Sequence, residues 1–94
     1  GDAACAAAPA GAFVIDAADT NTVVSTTAVT ANSQIFLQED SSLGTRLSVT
    51  CNTQSSLVLG ALRVTARTAG TSFTATLEAG PTTDPMCVNY WIVN

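Results

Sequence analysis

The 94-residue sequence contains no lysine and no histidine, and its only cations are Arg46, Arg63 and Arg67. Charged residues make up 11 % of the chain and the net charge is -4; about 25 % charged is ordinary. A nucleic-acid partner needs a basic face to neutralise phosphates, so this balance argues against one. It argues equally against docking on anionic lipid. Without histidine the commonest general base and metal ligand is missing, which ends most hydrolase and zinc readings. No apolar stretch approaches the roughly 20 residues that cross a bilayer, so direct membrane insertion is not expected. Aromatics are 5 % of the chain, and sixteen of its hydrophobic residues are alanine. The core is therefore thin, and help from a disulfide or from neighbouring subunits is expected.

What is present is uncharged and polar: fifteen threonines, eight serines and five asparagines. Threonine and valine favour strands, while the usual helix formers are scarce. A surface of hydroxyls suits a molecule that packs against copies of itself. There are three cysteines, Cys5, Cys51 and Cys87. They show no C-x-x-C spacing and have no histidine to complete a zinc set. An odd count allows one disulfide with one free thiol, in three pairings, or three buried reduced thiols; in an extracellular setting one bridge is the expectation. Cys51 with Cys87 is preferred over Cys51 with Cys5. Cys51 points inward on an alternating stretch, and Cys87 opens the last apolar segment.

Along the chain, short β-type runs alternate with turn clusters. The first twelve residues, GDAACAAAPAGA, read as a flexible or partner-contacting arm, and 13–94 as a single domain. Phe13 to Ile15, Thr22 to Thr30 and Ser33 to Asp40 read as strands, the last with Ile35, Phe36 and Leu37 buried on both faces. Arg46 to Asn52 alternates, with Leu47, Val49 and Cys51 opposite Ser48, Thr50 and Asn52, which predicts a half-buried strand. Leu57 to Leu59 is a short apolar run with a bulge expected at Gly60.

Ala61 to Glu78 predicts a regular hairpin with its tip at Ala69-Gly70. Leu62 then opposes Leu77, Val64 opposes Ala75 and Ala66 opposes Phe73, all on one face. Arg63 lies diagonal to Glu78, within ion-pair reach. Met86 to Asn94 closes the chain as a strand with large residues on both faces, which places it centrally in a sheet or under a cover. The fold class expected is all-β: an antiparallel, jelly-roll-like β-sandwich of seven to eight short strands with no substantial helix.

The carboxylates Asp2, Asp16, Asp19, Glu39, Asp40, Glu78 and Asp84 read as turn and edge charges, and no serine or cysteine has a base beside it. No enzyme activity, catalytic residue or cofactor is expected. Asp16, Asp19 and Asn21 share a loop but lack the ligand density of a dedicated calcium loop, so no metal site is assigned. Tyr90 and Trp91 are adjacent and must face opposite ways in a strand. Tyr90 with Ile92 is expected inside. Trp91 with Val93 is expected at an interface.

Several segments together, VSTTAVTANSQIFL (Val24 to Leu37), LSVT (Leu47 to Thr50), VTARTAGTSFTATL (Val64 to Leu77) and YWIV (Tyr90 to Val93), resemble a small β-domain family. That family occurs in tailed-phage structural proteins and at the C-termini of tail or fibre proteins. The resemblance spans about 70 residues from Thr22 onward and implies a compact sandwich used as a surface or decorating module. It brings no catalytic motif. The three cysteines, the alanine-rich arm and 53–59 depart from the pattern. The function expected is that of a non-enzymatic structural protein on a virion surface or in another extracellular assembly. Its partners would be copies of itself or other structural subunits, met through Trp91, Val93, Cys5 and Pro9. The alternatives are the globular subunit of an extracellular filament or pilus paired with a helical chain, and a glycan-binding tip module.

Overall fold

The structure is a computed structural model that describes residues 2–5, 8–54 and 56–94. Among these residues seven strands and two helical turns follow one another: β1 (Asp2–Ala4), β2 (Ala10–Ile15), β3 (Asn21–Ser25), β4 (Gln34–Glu39), α1 (Gly44–Leu47), α2 (Ser56–Leu59), β5 (Arg63–Thr68), β6 (Ser72–Thr76) and β7 (Met86–Val93). They form an all-β sandwich of two sheets, ordered β1-β3-β6-β5 and β2-β7-β4. Within these sheets only the β1–β3 pairing is parallel. The segment 1–12, read as an arm, contributes to both sheets. Asp2 to Ala4 pair with Val23 to Ser25, and Ala10 to Ala12 pair with Trp91 to Asn89.

The core lies between the sheets. β2 supplies Phe13 and Ile15, β3 Val24, β6 Phe73 and Ala75, and β7 Met86, Val88, Tyr90 and Ile92. Leu59, Leu77 and Val29 close it from the connections. With so few large side chains, three rings carry the centre. Phe73 meets Tyr90 edge-on at 5.4 Å between ring centroids, and Phe13 lies 6.3 and 6.2 Å from Phe73 and Tyr90. Edge-to-face packing of this kind adds about 0.5–1.5 kcal/mol per pair to area burial. Buried polar groups are satisfied locally. Thr22 Oγ1 donates to Val14 O, and Thr26 Oγ1 and the Tyr90 hydroxyl both donate to Ala8 O. The Thr22 and Thr26 bonds tie β2 and the chain entering it to the opposite sheet, while the Tyr90 bond holds that chain to β7 of its own sheet.

Four expected elements differ. The strand expected over Thr22 to Thr30 ends at Ser25, and 26–30 is turn and loop. Arg46 to Asn52 is not a strand: Gly44 to Leu47 make a helical turn, and 48–54 runs on without ladder partners. The turn closes with Ser48 in the left-handed region (φ 59°), while Val49 N–H donates to Gly44 O. A Cβ at Gly44 would stand 2.6 Å from Val49 O, so only glycine admits this return. The run 57–59 belongs to the helical turn α2 rather than a strand. Gly60 is not a bulge; it takes φ +79° just past the turn, where a helix end favours glycine. Phe36 points outward instead of being buried: β4 alternates, with Ile35 and Leu37 half-buried and Phe36 exposed.

The β5–β6 hairpin is less regular than its alternation suggests. Arg63 pairs Thr76 and Val64 pairs Ala75, as the alternation predicts. The register then shifts at Thr65, so Ala66 pairs Thr74 instead of Phe73, and Arg67 pairs Phe73. A bulge reverses which face the following residues take. Ala66 is consequently exposed, and Arg67 reaches across to donate to Ser33 O at 2.6 Å and Thr30 O at 3.3 Å. The expected Arg63–Glu78 pair is present at 2.7 Å, with both side chains largely in solvent; such a pair contributes under about 1 kcal/mol.

Candidate functional site

β7 is the central strand of its sheet and organises the site. Its residues alternate: Met86, Val88, Tyr90 and Ile92 face the core, while Cys87, Asn89, Trp91 and Val93 face out. The outward face is divided in two. Its first half lies beneath the segment 41–54, which carries α1. Cys51 is bonded to Cys87, with Cα atoms 5.6 Å apart. Asn52 N–H donates to Pro85 O, and Ser41 Oγ to Asn52 O. Cys87 is thereby fully buried although it points away from the core. The expected pairing is present. The expected geometry is not, because the bridge lies outside the sheet and Cys51 is on no strand.

The second half of the face is open. Trp91 is 42 % exposed, Val93 48 % and Phe36 41 %. Cross-strand pairing sets Phe36 opposite Trp91, and their rings stack at 5.2 Å with planes 13° apart. Tyr90 and Ile92 lie inside, as the alternation requires. Pro9 is exposed and its carbonyl accepts from Ile92 N–H; Cys5 is half-buried with a free thiol. Burial pushes the Tyr90 phenol up to about 12, and the neighbouring Cys5 thiol acts in the same direction. Cys5 and Pro9 therefore sit beside the buried end of Tyr90, while Trp91 and Val93 are on the outer face.

Where the covering segment stops, an open depression of about 380 Å³ remains. It is lined by Arg46 of α1 together with Ala10, Gly11, Gln38, Asn89, Tyr90 and Trp91. Asn89 Nδ2 donates to Asp40 Oδ2 at 3.1 Å, which fixes the amide and leaves its carbonyl oxygen as an acceptor. Asp40 is held below the usual carboxylate range chiefly by the hydroxyl and N–H of Ser42, with Asn89 adding to the effect. Glu39 is raised by burial.

Of the three arginines, Arg63 faces Glu78 and Arg67 clasps the 30–33 turn. Arg46 has no ion-pair partner among the described residues. Reading 46–52 as a strand hid this site. The signal available was Gly44 just ahead of Arg46, a glycine before an arginine on a segment that ends in a cysteine.

A second exposed apolar feature is the α2 turn, where Leu57 is 96 % and Val58 57 % exposed. The sequence shows here only a short apolar run, which carries no alternation to say which side chains face solvent. Asp16 and Asp19 belong to a turn in which Asp19 N–H donates to Asp16 O. No group of three or more metal-ligating side chains converges among the described residues, and no helix there is long and apolar enough to cross a membrane. No family model, curated protein or solved structure matches the chain.

Proposed function

We propose that this chain is a non-enzymatic structural module that joins copies of itself, or other structural subunits, on the surface of a larger particle. The observation that carries this reading is the pair of separate exposed apolar patches: Leu57 with Val58 on α2, and Phe36, Trp91 and Val93 on the outer face of β4 and β7. A chain with a thin core gains little by keeping five large apolar side chains in water. Its low charge does little to hold copies apart. Two different patches on one chain are what a head-to-tail contact requires.

A virion surface is the setting that the resemblance of Val24 to Leu37 and Val64 to Leu77 suggests. An extracellular filament would use the same module with a different neighbour. A disulfide on the outside of a sheet fits either location.

Light scattering after size exclusion, over a hundredfold range of concentration, tests the reading. The wild-type chain is expected to grow in mass with concentration. Leu57→Ser and Val93→Ser, each on an exposed side chain, are expected to shift that growth to at least tenfold higher concentration with unchanged circular dichroism. A wild-type chain that stays monomeric throughout and captures no particle subunit would overturn it.

A further inference from the structure

We propose that the depression between Arg46 and Trp91 binds a carboxylate-bearing saccharide, one pyranose ring at a time. This goes beyond the assembly reading and does not depend on it. Along β7, Asn89 precedes Trp91 and Val93 follows it, so the depression and the Val93 end of the apolar patch lie on opposite sides of the indole.

The chemistry follows from what lines the depression. Trp91 is the one tryptophan of the chain and is held flat against Phe36. A rigid, partly exposed ring offers a surface for the C–H face of a sugar at small entropic cost. Ala10, paired directly with Trp91, is small enough to leave room beside the indole. Gln38 and Asn89 are cross-strand partners and present amide groups side by side. Asn89 is oriented by Asp40, so its carbonyl oxygen is set to accept from a sugar hydroxyl.

These features alone would suit a neutral sugar; Arg46 selects a charged one. It lines the depression on a segment fixed by the Cys51–Cys87 bridge, and its guanidinium has no partner among the described residues, while the other two arginines are engaged within the chain. A guanidinium fork matches a carboxylate in two parallel hydrogen bonds. Two carboxylates lie close by: Glu39 follows Gln38 but alternates to the other face of β4, and Asp40 is hydrogen-bonded to the lining amide of Asn89. Asp40 accepts from the N–H and hydroxyl of Ser42 and from Asn89, so it is committed to orienting a lining amide and makes no ion pair with Arg46 among the described residues. A uronate or sialate presents a ring face, hydroxyls and a carboxylate together.

The experiment is an NMR titration of the ¹⁵N-labelled chain with methyl β-D-glucuronide, and in parallel with the uncharged methyl β-D-glucoside. The single indole N–H reports on Trp91, and the side-chain amides report on Gln38 and Asn89. The glucuronide is expected to shift all three with a dissociation constant of about 1 mM, which ordinary ligand efficiency gives a ligand of about fourteen heavy atoms. The glucoside is expected to bind at least tenfold more weakly. Arg46→Gln should bring glucuronide binding down to that level while leaving the concentration dependence of mass unchanged. Arg63→Gln, with the same change in net charge, should leave glucuronide binding intact.

Equal binding of the two sugars, or insensitivity to Arg46→Gln, would overturn the proposal. So would an indole signal that moves on dilution but not on adding the glucuronide, since a second copy would then be the occupant. Loss of assembly in Leu57→Ser with glucuronide binding retained would separate this site from the assembly contact.

Discussion

β7 and β5 are built from similar alternations but occupy different places. β7 is central in its sheet, hydrogen-bonded to β2 on one side and β4 on the other. β5 is the last strand of its sheet and pairs with β6 alone. An extra residue in β7 would disrupt two ladders at once, and β7 keeps one parity over all eight residues. At an edge the same insertion disrupts one ladder, and β5 bulges at Thr65. The bulge brings Arg67 onto the carbonyls of Thr30 and Ser33, linking an edge of one sheet to the turn that leads into the other. A bulged edge with two arginines is also a poor template for strand addition by another chain. Edge-to-edge pairing at β5 is thus disfavoured.

The covered half of the β7 face gives the largest expected effect. Replacing both Cys51 and Cys87 by alanine frees a loop spanning a sequence separation of 36. By the chain-entropy account this should cost about 3–4 kcal/mol. Urea unfolding of the double variant measures it. Dye binding at a fixed low urea concentration should rise as 41–54 loosens from the outer face. A cost under about 1 kcal/mol would mean that the segment is held by its hydrogen bonds rather than by the bridge.

That covering segment also shows what the sequence carries and what it hides. Alternation reports facing up to Cys51: Leu47 and Val49 are half-buried and Cys51 is buried, while Ser48 and Thr50 are exposed; Asn52, expected on the exposed side, is buried. Periodicity of two records which side a chain presents, and an extended segment lying across a sheet presents one side without joining a ladder. What distinguishes it from a strand is pairing, and pairing is not local. Gly44, whose missing Cβ allows the return to Val49, was the local clue.

The interior was easier to read. Tyr90 and Ile92 inside, β7 in the centre and the first half of the β5–β6 register all follow from apolar residues that only one arrangement buries. The bulge could not be read, because Thr65 and Ala66 fit either face by size. The parallel strand β1 is formed by residues too small to show a pattern. Of the candidate site, Trp91 was legible and Arg46 was not.

The inner face of β7 offers a smaller and pH-dependent effect. The Tyr90 hydroxyl donates to Ala8 O at 3.0 Å in a buried position. Tyr90→Phe should cost about 1 kcal/mol at neutral pH. The folded-state pKa is raised to about 12 by burial, above the ordinary tyrosine value of 10.0. The unfolded chain therefore loses its phenol proton first, and stability present below pH 10 is lost as pH rises toward 12. Thermal unfolding of the wild type should decline steeply across that interval, and Tyr90→Phe should remove most of the decline. Tyr90 is the only tyrosine, so its ultraviolet titration reads the same group directly. Ionisation near pH 10 in the folded protein would place Tyr90 in solvent and reverse the assignment of the two faces of β7.

The smallest effect, that of Ala66→Lys, tests the edge strand against Val64→Lys, and the contrast depends on the parity change at Thr65. Were β5 unbulged, Val64 and Ala66 would both face inward, opposite Ala75 and Phe73. Lysine at either position would then bury an unpaired charge. With the bulge, Val64 remains half-buried opposite Ala75, while Ala66 pairs Thr74 on the solvent side. Val64→Lys should accordingly cost about 1–3 kcal/mol, and Ala66→Lys should stay within about 0.5 kcal/mol of the wild type. Urea midpoints of the two variants, taken with their slopes, make the comparison, and comparable losses in both would show an edge strand without the bulge. If Ala66→Lys alone is tolerated, the chain keeps β5 irregular where β7 must be straight, and Arg67 owes its reach to that irregularity.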